Sequence, residues 1–393
     1  MPLRSFICMV LFGSAAASSA TAAPFVPEAD SQVLERLPFA ASDPKMRELR
    51  ALHDGLKIQP DNLPLALRVA RGYLELGRAT GDPRFGGYAQ SSLAPWWELA
   101  SPPLEVLILR ATLLQRVHRF DDALADLAKL LDAAPRDAQA RLMRATVHQV
   151  IGKFDAARED CLALGRSTNE LVSTACLANV NAATGKLHEG YKQLRATLDR
   201  FPRAQSQIRS WVLTSLGEMA ARAGQSQDAE AHFRRALAID PTDNYLLSAF
   251  ADFLLDQDRP QEVEVLLRDW TRQDPLLLRY ALALQAQHAP ELPGRIEQLR
   301  DRFEAARLRG DRVHLREEAR FTLHLMNDPN TALALARENW RVQKEPADIR
   351  VWLEAAIAAH AKADGAMARD WLSRTGLEDV RLLQLAADAN ALN

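Results

Sequence analysis

The chain of 393 residues is long enough for two or three ordinary domains, or for one extended repeat array. Hydrophobic residues make up 48% and charged residues 25%, an ordinary folded composition that excludes wholesale disorder. A net charge of −2, with no long block of like charge, leaves no electrostatic footprint for nucleic acid.

The first residues read as a targeting segment. Arg4 and the amino terminus form a positive region, Phe6 to Gly13 form a short apolar core, and small residues follow from Ser14 to Ala23. Ala20-Thr21-Ala22 has the small-x-small pattern of a cleavage site, so residues 1–22 are expected to be a signal peptide. The alternative is an uncleaved anchor, although the apolar core is short for a span. Cys8 lies inside this segment, and no later apolar run is long enough for a transmembrane helix. Without Arg4 the mature charge is −3, from 48 basic and 51 acidic residues. The mature chain is therefore expected outside the cytoplasm, periplasmic or extracellular. Residues 23–42 read as an extended, poorly ordered segment.

From about Ser31 onward the pattern is helical, with apolar residues at three- and four-residue spacing and no alternating strand pattern. The clearest unit begins at Ser210. Counted from there, Leu216, Gly217, Gly224, Ala229, Phe233, Ala236 and Pro241 occupy positions 7, 8, 15, 20, 24, 27 and 32. Small residues at 8 and 20 let two helices approach, Gly224 permits the turn between them, and Pro241 ends the second helix. This pattern resembles the tetratricopeptide repeat closely.

Steps of about 34 residues carry the register along the chain. A start at Leu63 places Ala70, Tyr73 and Gly77 at positions 8, 11 and 15, but Ala89 arrives seven residues late for position 20. Residues 81–87 are therefore expected to be an enlarged inter-helix loop. Starts at Leu104, Ala138, Leu171 and Asn244 repeat the small residues at 8, with Ala111, Ala145, Ala178 and Ala251. Leu278 opens a degenerate unit, disturbed by Pro290 and Pro293, and starts at Leu315 and Ile349 put Ala334 and Ala368 at position 20. The expected division is a leading half repeat at 43–62, a repeat with the enlarged loop at 63–103, well-matched repeats at 104–275, a degenerate repeat at 276–314, and C-terminal repeats with a cap at 315–393. The resemblance implies an all-α, right-handed α-solenoid of stacked helix-turn-helix units with a concave groove. Its two ends need covering, and the leading half unit and a polar final helix are the candidates.

In this register Cys161 is at position 24 of one second helix and Cys176 at position 6 of the next first helix. An exported chain with two mature cysteines is expected to join them in a structural disulfide; the alternative is two buried free thiols.

Positions 2, 5, 9 and 12 of the first helix face the groove in this family. Across the central repeats they include Gln139, Thr146, Gln149, Asn179, Trp211, Thr214, Glu218, Tyr245, Ser248 and Asp252. This mixed polar surface suits an extended peptide, with Gln149, Asn179, Trp211, Glu218, Tyr245 and Asp252 as the partner-binding candidates. It lacks the Lys/Asn/Arg set by which some relatives clamp a C-terminal carboxylate.

Catalytic signatures are missing from the sequence. The nine histidines show no metal spacing, and His314-Leu315-Arg316-Glu317-Glu318 lacks the second histidine of an inverted zinc motif. That stretch reads as a solvated helix face with charge pairs. Gly185-Lys186 lacks a preceding phosphate loop, and there is no G-x-S-x-G elbow. No catalytic residue, metal or cofactor is expected. The expected function is a non-catalytic scaffold in the bacterial cell envelope that binds a protein or peptide, itself an envelope or secreted one. The alternative is a small-molecule or polysaccharide binder built on Trp96, Trp97, Trp211 and Tyr245. Trp96 and Trp97 have a second reading as residues that seal one end of the solenoid.

Overall fold

A computed structural model describes residues 43–391 and the isolated residue Ala29. The expected signal peptide, Cys8 and nearly all of the segment 23–42 lie outside the described residues. Helices make up 76% of the structure, and there are no strands among the described residues. The chain is an α-solenoid of stacked helical hairpins.

The N-terminal end begins with α1 (Pro44–Ile58), a single helix on the hairpin of α2 (Leu63–Thr80) and α3 (Arg84–Ser92), followed by the short α4 (Ala94–Trp97). Next come α5 (Leu104–Arg116) with α6 (Phe120–Ala133), α7 (Ala138–Val150) with α8 (Phe154–Leu164), and α9 (Glu170–Ala183) with α10 (Leu187–Arg200). The centre holds α11 (Ser206–Arg222) with α12 (Ser226–Leu237), and α13 (Asn244–Asp256) with α14 (Pro260–Leu267). The C-terminal part holds α15 (Asp274–Ala286) with α16 (Leu292–Leu308), α17 (Leu315–His324) with α18 (Pro329–Val342), α19 (Pro346–Ala358) with α20 (Lys362–Thr375), and the closing α21 (Val380–Asn390).

Local chemistry sets the helix ends. Asp137, Asn169, Asp243 and Asp379 accept hydrogen bonds from first-turn amides of α7, α9, α13 and α21. Pro260 and Pro346 sit in first turns, where a missing amide proton costs nothing. Within hairpins the chain reverses through one left-handed residue. That residue is Gly81, Gly152, Gly185 or Gly224 where the sequence supplies glycine, and His118, Asp258, His288, Asn327 or His360 elsewhere. Three histidines, His118, His288 and His360, thus occupy turns.

These turns correct the C-terminal register. The degenerate unit starts at Asp274, not at Leu278, and the last unit at Pro346, not at Ile349. Pro290 falls in the turn and Pro293 in the first turn of α16, so the hairpin survives both. The enlarged loop is corrected as well. The insertion lengthens α2 to Thr80 and starts α3 at Arg84, leaving 81–83 as the turn, while Ala89 remains fully buried against the core. The final helix is amphipathic: it buries Leu382, Leu385 and Ala389 and exposes Leu383.

Small residues carry the close approaches. A methyl on Gly217 would meet the Phe233 ring at 2.8 Å, and Phe233 in turn packs on Phe250 and Phe253 at 5.5 and 5.7 Å between centroids. One continuous core runs from Leu171 to Leu284, an N-terminal core lies between Leu49 and Ala140, and a C-terminal core between Ala319 and Ala389. Cys161 and Cys176 form a disulfide that links α8 to α9, with Cα atoms 5.4 Å apart.

The solenoid also touches itself across long stretches of sequence. The Lys344 amide donates to the Val150 carbonyl at 2.7 Å. Asn244 Nδ2 donates to the Arg78 carbonyl at 3.1 Å, and Gly185 and Gly376, both left-handed, meet backbone to backbone. A Cβ on either glycine would stand 3.3 Å from the other's backbone. The later units therefore stack edge to edge on the earlier ones.

Candidate functional site

The expected groove residues divide into two groups. Glu218 of α11 and Tyr245 and Asp252 of α13 face one interior space. Gln149 bonds weakly within its own helix, to Ala145 O at 3.4 Å, and Asn179 reaches Ser215 across to α11 at 3.5 Å. Trp211 is half-buried in the seam between two core clusters.

Charged residues of the C-terminal units, Arg320 and Glu345, act on the group of Glu218, Tyr245 and Asp252. The Tyr245 hydroxyl donates to Glu218 at 2.7 Å. Tyr245 keeps 60% of its surface open to water. Burial raises the Glu218 carboxyl to about 7, the Tyr245 hydroxyl opposes the rise, and the charge of Glu345 adds to it. Glu218, followed by burial and Glu345, drives the Tyr245 hydroxyl well above its ordinary value.

Asp252 lies at the meeting point of three helices. Arg279 of α15 reaches it at 2.5 Å and Arg320 of α17 at 2.6 Å. Burial alone would raise its carboxyl, but the two guanidinium groups overcome it and hold the acid well below the usual range. Farther along α13, Arg350 of α19 grips Asp256 through two bonds of 2.7 Å and keeps a bond to Glu354. Arg222 at the end of α11 donates to the Glu378 carbonyl and stands 3.8 Å from Asp379.

The stretch His314–Glu318 is corrected here. It was expected to be a solvated helix face, but Glu317 is only 6% exposed and Arg316 pairs with Glu317, Glu345 and the fully buried Asp348. Burial pushes the Asp348 carboxyl up to about 6 against the pull of Arg316. The charges of this helix are buried because α17 stacks between α15 and α19, where Arg316 meets the acids at the start of α19.

The aromatic residues are dispersed. Trp96 and Trp97 pack against the N-terminal core, whereas Trp211 belongs to the central seam. Sequence reasoning missed a C-terminal cluster in which Trp340 stands 4.9 Å from Trp371 and 5.3 Å from Trp352, whose indole donates to Asp364. Three tryptophans within 32 residues were the available signal. Among the described residues no group of His, Cys, Asp or Glu is arranged to hold a metal ion. No helix of the described residues is long and apolar enough to cross a membrane.

Two family models, each described as tetratricopeptide repeat, match residues 108–169 and 170–242. No curated protein matches the sequence. Among solved structures, a tetratricopeptide repeat protein from Parabacteroides merdae ATCC 43184 is similar at 15% identity and a TM-score of 0.43, covering 65% of this chain and 90% of that one. Yeast Tom70 is similar at 12% identity and a TM-score of 0.34, covering 88% of this chain and 92% of its own. At these values the likenesses say nothing about partners.

Proposed function

The chain is a tetratricopeptide-repeat protein, and we propose that it works outside the cytoplasm as a non-catalytic scaffold that binds another protein in the bacterial cell envelope. Repeats of this type form protein-interaction surfaces. The bound element is an extended segment of an envelope or secreted protein, held on the helix-A face around Glu218, Tyr245 and Asp252.

Tyr245 is the observation that carries this reading. A tyrosine ring open to water over 60% of its surface, with its hydroxyl already oriented by Glu218, is a pre-set amphipathic anchor. The neighbouring charges of Asp252, Arg279 and Arg320 offer polar register to a bound backbone.

A photo-crosslinking residue in place of Tyr245, in the exported protein, tests the reading. One stoichiometric protein captured from the envelope fraction is the expected result. No captured protein, despite good expression and export, would overturn it. Trp211 is a poor site for this test, since it packs in a core seam and its loss would loosen the stack.

A further inference from the structure

Glu218 is an acid without a cation. Arg222, one helical turn farther along α11, is the ordinary partner at this spacing, but its guanidinium is committed to the carbonyls of Ala182 and Glu378. Arg279 and Arg320 both go to Asp252, and Arg316 is shared by Glu317, Glu345 and Asp348. With Asp379 at 3.8 Å from Arg222, these four arginines already answer five acids, and Glu218 makes a sixth. Among the described residues its side chain bonds the Tyr245 hydroxyl and has no ion-pair partner.

The ring of Tyr245 lies open beside that acid. Its hydroxyl donates to one carboxylate oxygen at 2.7 Å, which leaves the other oxygen of the partly exposed Glu218 for a second donor. An exposed aromatic face with a carboxylate at its edge suits a guanidinium or an ammonium group. The ring attracts the cation, and the carboxylate accepts its hydrogen bond. A metal ion does not fit, since among the described residues no three His, Cys, Asp or Glu side chains are arranged around one.

We propose that this face selects a protein segment carrying a basic side chain, arginine or lysine, whose cation lies on the Tyr245 ring and pairs with Glu218. The inference rests on the reading that this face binds protein, and it names the chemistry of the bound residue. Asp252 has no such role, because two arginines of the chain already hold it.

The same groups couple binding to pH. Burial, Glu345 and Asp252 bring the Glu218 carboxyl to about 7 against the Tyr245 hydroxyl and Arg222, and Arg316 also acts on Tyr245. A bound cation favours the carboxylate, so below pH 7 it must displace a proton and above pH 7 it need not.

The test selects short random peptides, displayed on phage, on the purified full chain at pH 8. The selected peptides are expected to share one arginine or lysine. Replacing that residue by glutamine should weaken binding about tenfold to the wild-type chain and less than about twofold to Glu218→Gln. For histidine-free peptides, affinity for the wild-type chain should fall about tenfold from pH 8 to pH 6, and change less than about twofold in Glu218→Gln. Tyr245→Leu, which keeps apolar bulk without the ring, should weaken the same peptides severalfold. Helical circular dichroism checks that both variants fold. Peptides selected by apolar or acidic residues, or a basic residue that matters equally in wild type and Glu218→Gln, would overturn the cation site and leave the scaffold reading standing. No peptide selected on any of the three proteins would sink the scaffold reading and the cation site with it.

Discussion

The stack along the chain and the clasp of ion pairs across it are held by different chemistry. Between α11, α12 and α13, Leu216, Phe233, Phe250 and Phe253 are buried around a glycine and alanines that allow helices to touch. Between α13 and the C-terminal units, the same helix presents Asp252 and Asp256 to arginines from α17 and α19. One face of α13 is thus committed to burial and the other to charge pairing. A solenoid can afford this because each unit is stabilised by its neighbours and does not require contact with distant units. The difference suggests that the stack sets stability and the clasp sets shape.

The largest expected effect breaks the stack. Phe233→Ala should cost about 3–5 kcal/mol, read as a shift in denaturant midpoint, because it empties the site where three rings meet. Ala229→Trp, which forces α11 and α12 apart, should cost about 1–3 kcal/mol or more; an unchanged melting curve would mean that the repeat register is wrong. Replacing Cys161 and Cys176 together by alanine should cost about 3 kcal/mol for a loop of this length. Counting thiols in denatured, unreduced protein checks the bridge directly, and two titratable thiols would remove it.

Smaller effects are expected at the clasp. Asp252→Ala leaves Arg279 buried beside Arg320 without its acid, and should cost about 2–3 kcal/mol, at or below the low end for breaking a buried pair. Asp256→Ala should cost under about 1 kcal/mol, since its partner keeps Glu354. If both variants destabilise as much as Phe233→Ala, the clasp is part of the core and the contrast fails. The pH dependence of Glu218 sharpens the same point. Its carboxyl lies near 7 in the fold against an ordinary 4.5, so its protonation contributes stability below about 4.5 that is lost as the pH rises through about 7. Glu218→Gln should remove about 2–3 kcal/mol of that change between pH 5 and 8, seen as a flatter plot of melting temperature against pH. Asp252 acts in the opposite sense: its depressed carboxyl contributes stability at neutral pH that is lost in strong acid.

Much of the architecture was legible in the residues. Small residues at fixed spacing announce close helix pairs, and Gly152, Gly185 and Gly224 mark turns because only glycine takes that backbone without strain. The register slipped where His288 and His360 occupy the same left-handed position, since a histidine there gives no local signal. The inserted residues near Gly81 read as a loop because glycines suggest one, yet Phe85 and Ala89 had an apolar neighbour to pack on and the helix absorbed them. For the candidate site, periodicity assigned Glu218, Tyr245 and Asp252 to one helix face but left their surroundings open. Nothing local to Arg320 or Arg350 shows that they answer acids 68 and 94 residues away.

By itself the sequence determined the repeat, the hairpins and the nearness of Cys161 to Cys176, because all three depend on interactions between residues close along the chain. Only the tertiary structure decided that the later units close over the earlier ones. Small rotations between successive units accumulate over the length of a solenoid, and their sum decides whether Lys344 meets Val150 or open water.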